Sequence, residues 1–303
     1  MLDALHPAWP NSVYLPARSE RDVVAHIIAI ACQKGGVGKT TTAINLATAL
    51  ALAGRRVLVV DLDPQANCTT GFGLPIESGG DISHLFEDLL RQAEPRIDQV
   101  RVRVPGLPAL PDGAEPKLDL LPSGMSLELA ADTLQAVSLG RELFLANLLK
   151  LMRHDYDEIF IDAPPRLGVL TTNALAAANS VIVPTQAEPW AAQGLAIILR
   201  QIVRVRGYLN RHLAVQGILF TMVQNTHVQR ETIAAIMGEL GRQYHIYRHY
   251  IPRNTDLAAA AGLGRPAIIS HPRSTGAQAY LALARIAFPH SVPKEVGSAE
   301  TAR

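Results

Sequence analysis

Eight consecutive residues, Lys34-Gly35-Gly36-Val37-Gly38-Lys39-Thr40-Thr41, combine glycines, two lysines and two terminal hydroxyls. Glycines let backbone N–H groups turn inward around an anion, and a helix starting at the end of the loop adds its partial positive charge. Lys39 then stands where it can balance the β and γ phosphates of a nucleoside triphosphate. Thr40 places a hydroxyl where Mg²⁺ is held. The candidate cradle is therefore Gly35, Gly36, Val37, Gly38, Lys39, Thr40 and Thr41. The ordinary phosphate-loop pattern has a glycine where this chain has Gln33, and Lys34 follows as a second cation in a chain with only five lysines. An extra cation beside a triphosphate needs a charge partner. Three aspartates, Asp61, Asp63 and Asp162, follow or end apolar runs. Carboxylates in such places can hold a metal ion or orient water, although Asp61 and Asp162 could instead cap neighbouring helices and Asp63, before Pro64, could be a turn residue.

The elements that must position these groups are legible as alternating apolar runs and helical periods. Ile27 to Cys32 reads as a buried strand entering the glycine loop, and Lys39 to Ala53 as a helix closed by Gly54. Val57 to Val60 and Ile159 to Ile161 read as strands that place Asp61 and Asp162 at their C-terminal ends. Further runs at Ser180 to Val183 and Gly217 to Met222, each followed by a helical pattern, continue the alternation of a parallel sheet covered on both faces. The expected fold is α/β: a single doubly wound, mostly parallel sheet with helices on both faces. Residues 71–122 are irregular, with Ile82 to Leu90 and Leu118 to Leu121 as their only clear elements, and read as a long excursion within one domain. Residues 1–25 read as an N-terminal extension, 26–288 as the domain and 289–303 as a flexible tail.

Composition narrows the function classes. The chain has 303 residues, 48% hydrophobic and 18% charged, so it can bury a large core. It contains no apolar run of membrane-spanning length, and its first thirty residues are broken by Pro7, Pro10 and Pro16 as well as charges, which points to a cytoplasmic protein. Two cysteines, Cys32 and Cys68, are too few for a disulfide framework or a four-thiolate metal site and read as small buried residues.

A net charge of +1 hides a division along the chain. Residues 200–290 hold eleven arginines against Glu231, Glu239 and Asp256. Such asymmetry suggests a polyanionic partner for the C-terminal third. Arg200, Arg204 and Arg211 recur at spacings that share a helix face, with Arg206 nearby, and Arg230 and Arg242 bracket a later helical stretch. Arginines so placed suit phosphate contacts, which fix affinity without reading bases.

The sequence KGGVGKTT resembles the deviant Walker A motif of the ParA/MinD family of dimerising ATPases. Asp61-Leu62-Asp63-Pro64-Gln65-Ala66-Asn67 is similar to the family's second motif, Ile161-Asp162-Ala163-Pro164-Pro165 to its Walker B, and Ile251-Pro252-Arg253-Asn254 to its nucleotide-base loop, all on the ParA side of the family. The resemblance spans about Ala25 to Phe288. It implies ATP and Mg²⁺ as cofactors and hydrolysis of ATP to ADP and phosphate. By the same resemblance Lys34 is the signature lysine, which reaches across a nucleotide sandwich dimer, Asp162 holds Mg²⁺ through water, and Asp63 orients the attacking water. Asp61 belongs to the same switch region, and Pro252 and Asn254 lie near the base.

The resemblance further implies an ATP-dependent homodimer that binds DNA without sequence preference and segregates chromosomes or plasmids, associated with the nucleoid. Its activating partner would be a ParB-like, centromere-binding protein. A positioning ATPase that carries a protein cargo, such as a carboxysome or chemoreceptor cluster, is the alternative, and an ATP-dependent metabolic ligase of the same superfamily is a more distant one. The MinD branch binds membrane through a basic C-terminal helix. Here Thr275 to Phe288 carries a single arginine and is stopped by Pro289, so no membrane partner is expected. The chain departs from the ParA pattern at Arg166, at Pro189-Trp190 and at the four alanines 258–261.

Overall fold

The computed structural model describes residues 24–75 and 80–291. Seven strands form one sheet: β1 (His26–Ile30), β2 (Val57–Asp61), β3 (Val102–Arg103), β4 (Leu118–Leu121), β5 (Glu158–Asp162), β6 (Ser180–Gln186) and β7 (Ala214–Thr221). Their order is β3-β4-β2-β5-β1-β6-β7, with every pairing parallel except the antiparallel edge pair β3·β4. The expected doubly wound sheet is present. Residues 71–122, read as an excursion, supply two of its strands, β3 and β4. Most of the expected extension and tail lies outside the described residues. Ala25, at the inner end of the extension, is buried and donates its N–H to Arg153 O at 2.8 Å.

Parallel strands buried on both faces carry apolar side chains without interruption, and the pleat sends neighbours to opposite sides. Ile27 and Ala29 of β1, Leu58 and Val60 of β2, and Ile159 and Ile161 of β5 therefore enter one core. Ile28, Ile30, Val57, Val59 and Phe160 enter the other. The first core is covered by seven helices of the described residues, Ile82–Leu90, Ile97–Val100, Ser126–Ala136, Phe144–Lys150, Val169–Ala177, Ala191–Tyr208 and His227–Leu240. The second lies under Lys39–Leu52, Asn67–Gly71, Thr255–Gly262, Ala267–Ser270 and the last helix, Thr275–Ala287. Each fully buried Ile or Leu contributes roughly 1.5–3 kcal/mol by leaving water, so both cores are substantial.

This winding places the site. The chain leaves β1 toward β2 over the second face, through Lys39–Leu52, whereas it leaves β5 toward β6 over the first face, through Val169–Ala177. The loops after two adjacent strands thus diverge, and a crevice opens outside their carboxyl ends, where ligands of such sheets bind. The last helix then packs on the phosphate-loop helix, where Tyr280 OH and Thr42 Oγ1 lie 3.1 Å apart. Its buried face, Ala277, Tyr280, Leu283 and Ala284, is spent inside the fold. Among the described residues no helix is long and apolar enough to cross a membrane.

Candidate nucleotide site

The glycine loop runs between β1 and the helix Lys39–Leu52, as its sequence indicates. Gly36 and Gly38 take φ of +71° and +81°, a region that costs any residue with a Cβ, so the loop's curvature depends on glycine at these positions. Its carbonyls are held from outside. Gln186 Nε2 donates to Gly36 O at 2.9 Å, Thr221 Oγ1 to Val37 O at 2.8 Å, and Thr42 Oγ1 to Gly38 O at 2.7 Å. With the acceptors turned outward, the N–H groups at the helix start are left for an anion. A Cβ on Gly35 or Gly36 would meet nothing within 4 Å, so the cradle is open. Lys39 is buried at the start of the helix.

Asp61 and Asp162 are the last residues of β2 and β5 and are register partners across those neighbouring strands. Both are buried. Asp61 accepts three hydrogen bonds, from Asp63 N at 3.2 Å and from Thr69 N and Thr69 Oγ1 at 2.8 Å each. Asp162 Oδ2 accepts the Thr40 hydroxyl at 2.6 Å, while its Oδ1 is buried without a hydrogen-bond partner among the described residues. Burial pushes both carboxyls well above the ordinary carboxylate range. The charge of Asp61 pushes Asp162 further, against the opposing effect of Thr40 and Lys39. A buried carboxylate with an idle oxygen, paired to a threonine hydroxyl and facing a second acid, is an oxygen donor set that suits a hard divalent cation such as Mg²⁺. The residues present fit that ion.

Asp63 also lies at this end of the sheet. Its Oδ1 accepts Gln65 N at 3.1 Å, the turn role foreseen as its alternative, and its main-chain carbonyl accepts Ser123 Oγ at 2.7 Å. Asp63 Oδ2 makes no hydrogen bond among the described residues. Lys34, unlike Lys39, is not buried: its ammonium pairs with Glu188, and its side chain is 52% exposed. Pro252 bridges to Val223 beyond the end of β7. Asn254 caps the helix Thr255–Gly262 by accepting Leu257 N at 3.1 Å, and it donates to Thr275 Oγ1 at 3.0 Å.

Glu188, Gln186, Thr221, Thr69 and Ser123 were not foreseen as parts of this site. Gln186 and Thr221 end β6 and β7, and position at a parallel strand's carboxyl end was the available signal.

The predicted arginines lie elsewhere: Arg200, Arg204, Arg206 and Arg230 are on helices over the first core and Arg242 just follows one, whereas Arg211, expected to share the face of Arg200 and Arg204, lies beyond the helix, which ends at Tyr208. Arg200 and Arg204 are exposed one turn apart on Ala191–Tyr208, and Arg230 and Arg242 are exposed at the two ends of His227–Leu240. Arg206 is half-buried, and its charge is felt by Tyr244. Arginines 55, 56, 91, 96, 101, 103 and 141 all pair with acids within 4 Å. Arg200, Arg204, Arg230 and Arg242 have no such pair among the described residues.

A glycine loop between strand and helix, a buried lysine, and a threonine–aspartate pair at the carboxyl ends of parallel strands define a P-loop nucleotide-binding ATPase. The AAA domain family model matches residues 25–215. The chain is 41% identical over 263 residues to the chromosome partitioning protein ParA of Caulobacter vibrioides, covering 86% of this chain and 92% of that protein. It is 38% identical over 265 residues to the sporulation initiation inhibitor protein Soj of Bacillus subtilis, with 86% and 96% covered. Cobyrinic acid a,c-diamide synthase from Mycobacterium smegmatis, solved with bound ATP analog and magnesium, superposes at a TM-score of 0.70 and 32% identity over 89% of this chain and 99% of that one. The chain belongs to the ParA family of partition ATPases.

Two outcomes follow from this geometry. Lys39→Ala leaves the cradle without its buried cation, and ATP affinity measured by titration should fall at least 100-fold, the scale of losing a charge-assisted contact of about 3 kcal/mol; near-parental affinity contradicts the loop assignment. The second outcome concerns pH. Because the raised carboxyls favour the protonated form, the contribution of Asp61 and Asp162 to the stability of the ligand-free fold should be fully present below their ordinary pKa of about 4 and be lost as pH rises through the raised values. Mg²⁺ needs the ionised form, so the rise in melting temperature on adding Mg²⁺ with ATP should be larger at about pH 8 than at about pH 6. An increment independent of pH contradicts the assignment of Asp162.

Proposed function

We propose that the chain is an ATP-driven switch. One copy binds ATP and Mg²⁺, two copies then pair face to face across their nucleotides, the pair holds DNA without regard to sequence, and hydrolysis returns it to single copies. The observation that carries this reading is the division of labour between the two lysines. Lys39 is buried at the cradle, whereas Lys34, in the same loop, is half-exposed and paired with Glu188. A cation so exposed is accessible to the ligand of a second copy.

Within each copy Lys39 neutralises the β and γ phosphates, and Thr40 and Asp162 hold the metal ion. Bound magnesium supplies positive charge to the phosphate oxygens as phosphoryl transfer proceeds. Asp63, with one oxygen anchored to Gln65 N and the other uncommitted, orients the attacking water, and Asp61 fixes the segment that carries Asp63 by accepting its N–H. The transfer needs chiefly positioning and charge neutralisation, which these groups provide. Pro252 and Asn254 line the end of the site nearest the base.

The exposed Arg200, Arg204, Arg230 and Arg242, unpaired with acids among the described residues, form the DNA face together with Arg206. Pairing two copies doubles that face and couples DNA binding to ATP. Partition of chromosomes or plasmids is the activity proposed, on the nucleoid in the cytoplasm, with hydrolysis stimulated by a ParB-like or cargo-adaptor protein. Transport of a protein cargo over the same nucleoid uses the same surfaces. A ligase of the diamide synthase kind has no use for a half-exposed second lysine or for an unpaired basic face, and both features count against it.

With Lys34→Ala, ATP titration should stay near parental while sedimentation shows no ATP-dependent dimers and hydrolysis stops. Unchanged dimers reduce Lys34 to a local contact. Arg200→Glu with Arg204→Glu should leave ATP-dependent dimers in place yet weaken DNA binding equally on unrelated sequences. The logarithmic salt dependence should flatten by about one unit for each phosphate that is no longer neutralised. Binding that ignores salt, or that follows one sequence, contradicts the reading.

A further inference from the structure

Residues 244–249 run along the outer side of β7, where Ile218 N donates to His245 O at 2.9 Å and Tyr247 N donates to Ile218 O at 3.0 Å. They take no part in the nucleotide site. Between them and the helices His227–Leu240 and Thr275–Ala287 lies a cavity of about 420 Å³, lined by Tyr244, His245, Tyr247 and His249 together with Met237 and Ile286. Its rings are held in place. Tyr244 and Tyr247 are buried, the rings of His245 and Tyr247 meet edge to face at 4.8 Å, and His249 Nε2 lies 2.8 Å from Ala279 O. Ile286 is 51% exposed and Met237 half-buried, so the cavity is open to solvent. Cavities of about 300–1,000 Å³ suit compact ligands. An aromatic-lined groove in particular suits a proline-rich segment, which is extended before it binds and so loses little freedom on docking.

We infer that this groove is the docking site of residues 7–10 of the same chain, Pro7-Ala8-Trp9-Pro10. A polyproline II segment repeats every three residues, so prolines at positions 7 and 10 share one edge, and Trp9 between them supplies apolar area. The tether is long enough. His26 opens β1, and the cavity lies beyond β7 at the level of Ile218, which is across from Val183 and so one residue past the Ile30–Ile182 pair. Three strand spacings of about 4.8 Å and five residues of about 3.3 Å put Ile246 roughly 22 Å from His26. Residues 11–23 span about 43 Å when extended, nearly twice that distance. Charge does not oppose the contact. Residues 1–16 contain no lysine or arginine and a single acid, Asp3, so they bring no fixed side-chain cation to the exposed Arg248 that also lines the cavity. A flexible link holds its segment at an effective concentration of about 1 mM, so an intrinsic Kd of about 0.1 mM keeps about nine-tenths of it docked. A segment carried by the chain therefore fills the groove with an affinity too weak to retain a free peptide.

The chain's other tryptophan is Trp190, so Trp190→Phe in the full-length protein leaves Trp9 as the only indole. Without nucleotide, its emission should lie at short wavelength and resist quenching by acrylamide. Adding Ile286→Glu, on a half-exposed side chain that lines no part of the cradle, should weaken docking about 30-fold and lower the docked fraction to about a quarter. Adding Pro7→Ala with Pro10→Ala instead, outside both cores, should release Trp9 to a similar degree. ATP affinity should stay parental in both, which shows that the fold is intact. In a second measurement, Ala8→Cys with Ile286→Cys should close an intrachain disulfide about ten-fold faster than Ala8→Cys with Val228→Cys. Val228 is similarly exposed but sits at the far end of its helix, about 20 Å from Gly241 in the cavity wall, and the native Cys32 and Cys68 are buried. A Trp9 as quenchable in the parental protein as in the variants overturns the inference, as does one that stays protected in Ile286→Glu. A disulfide that joins two chains rather than closing one also overturns it and assigns the groove to the segment of a second copy.

Discussion

Two carboxylates meet where they can least afford to be charged. Asp61 and Asp162 end adjacent strands in register, buried, with one oxygen of Asp162 bonded to nothing among the described residues. Burial raises the pKa of both, and positive charge brought to the site favours their ionised forms. Much of the surrounding structure manages that constraint: three hydrogen bonds hold Asp61, the Thr40 hydroxyl meets Asp162, and Lys39 opens the helix beside them. A nucleotide alone brings more negative charge, whereas one that arrives with its cation brings positive charge to the carboxylates. The two together satisfy the site, which makes the metal–nucleotide complex, rather than either part, the natural occupant.

The same segment faces two ways. Loop carbonyls are tied back to β6, β7 and the first helix, so the cradle is rigid toward its ligand. Lys34 and Glu188 are both about half exposed, and an ion pair so solvated is weak and readily exchanged. Strong internal fixation beside a weak external contact lets the loop keep its shape while its outer cation changes partner.

Much of this was readable beforehand because it is local. The spacing of glycines, the lysine–threonine ending and the apolar runs ending in Asp61 and Asp162 each follow from a few neighbouring residues, and strands and helices fell where those periods put them. What escaped depended on long-range placement. Glu188 meets Lys34, Gln186 meets Gly36 and Thr221 meets Val37 only because the order of strands brings β6 beside β1 and β7 beside β6. The two-residue strand β3 is too short to carry a period, and its pairing with β4 is set by the sheet edge. Asp63 reads either as a turn residue or as a water-orienting one, and its two oxygens leave both descriptions in force.

The contact between the last helix and the first has a consequence for how the protein is made. Tyr280 closes on Thr42, and β1 is flanked by β5 and β6, so the earliest strand and the loop that follows it acquire their neighbours only after more than half of the chain exists. Such contacts of long sequence separation are slow to form and are made late. A chain still on the ribosome therefore carries its phosphate-binding sequence long before it carries a phosphate-binding site. A copy that stops before Glu158–Asp162 lacks both the strand that flanks β1 and Asp162 itself, and with them part of the set that fits the metal ion.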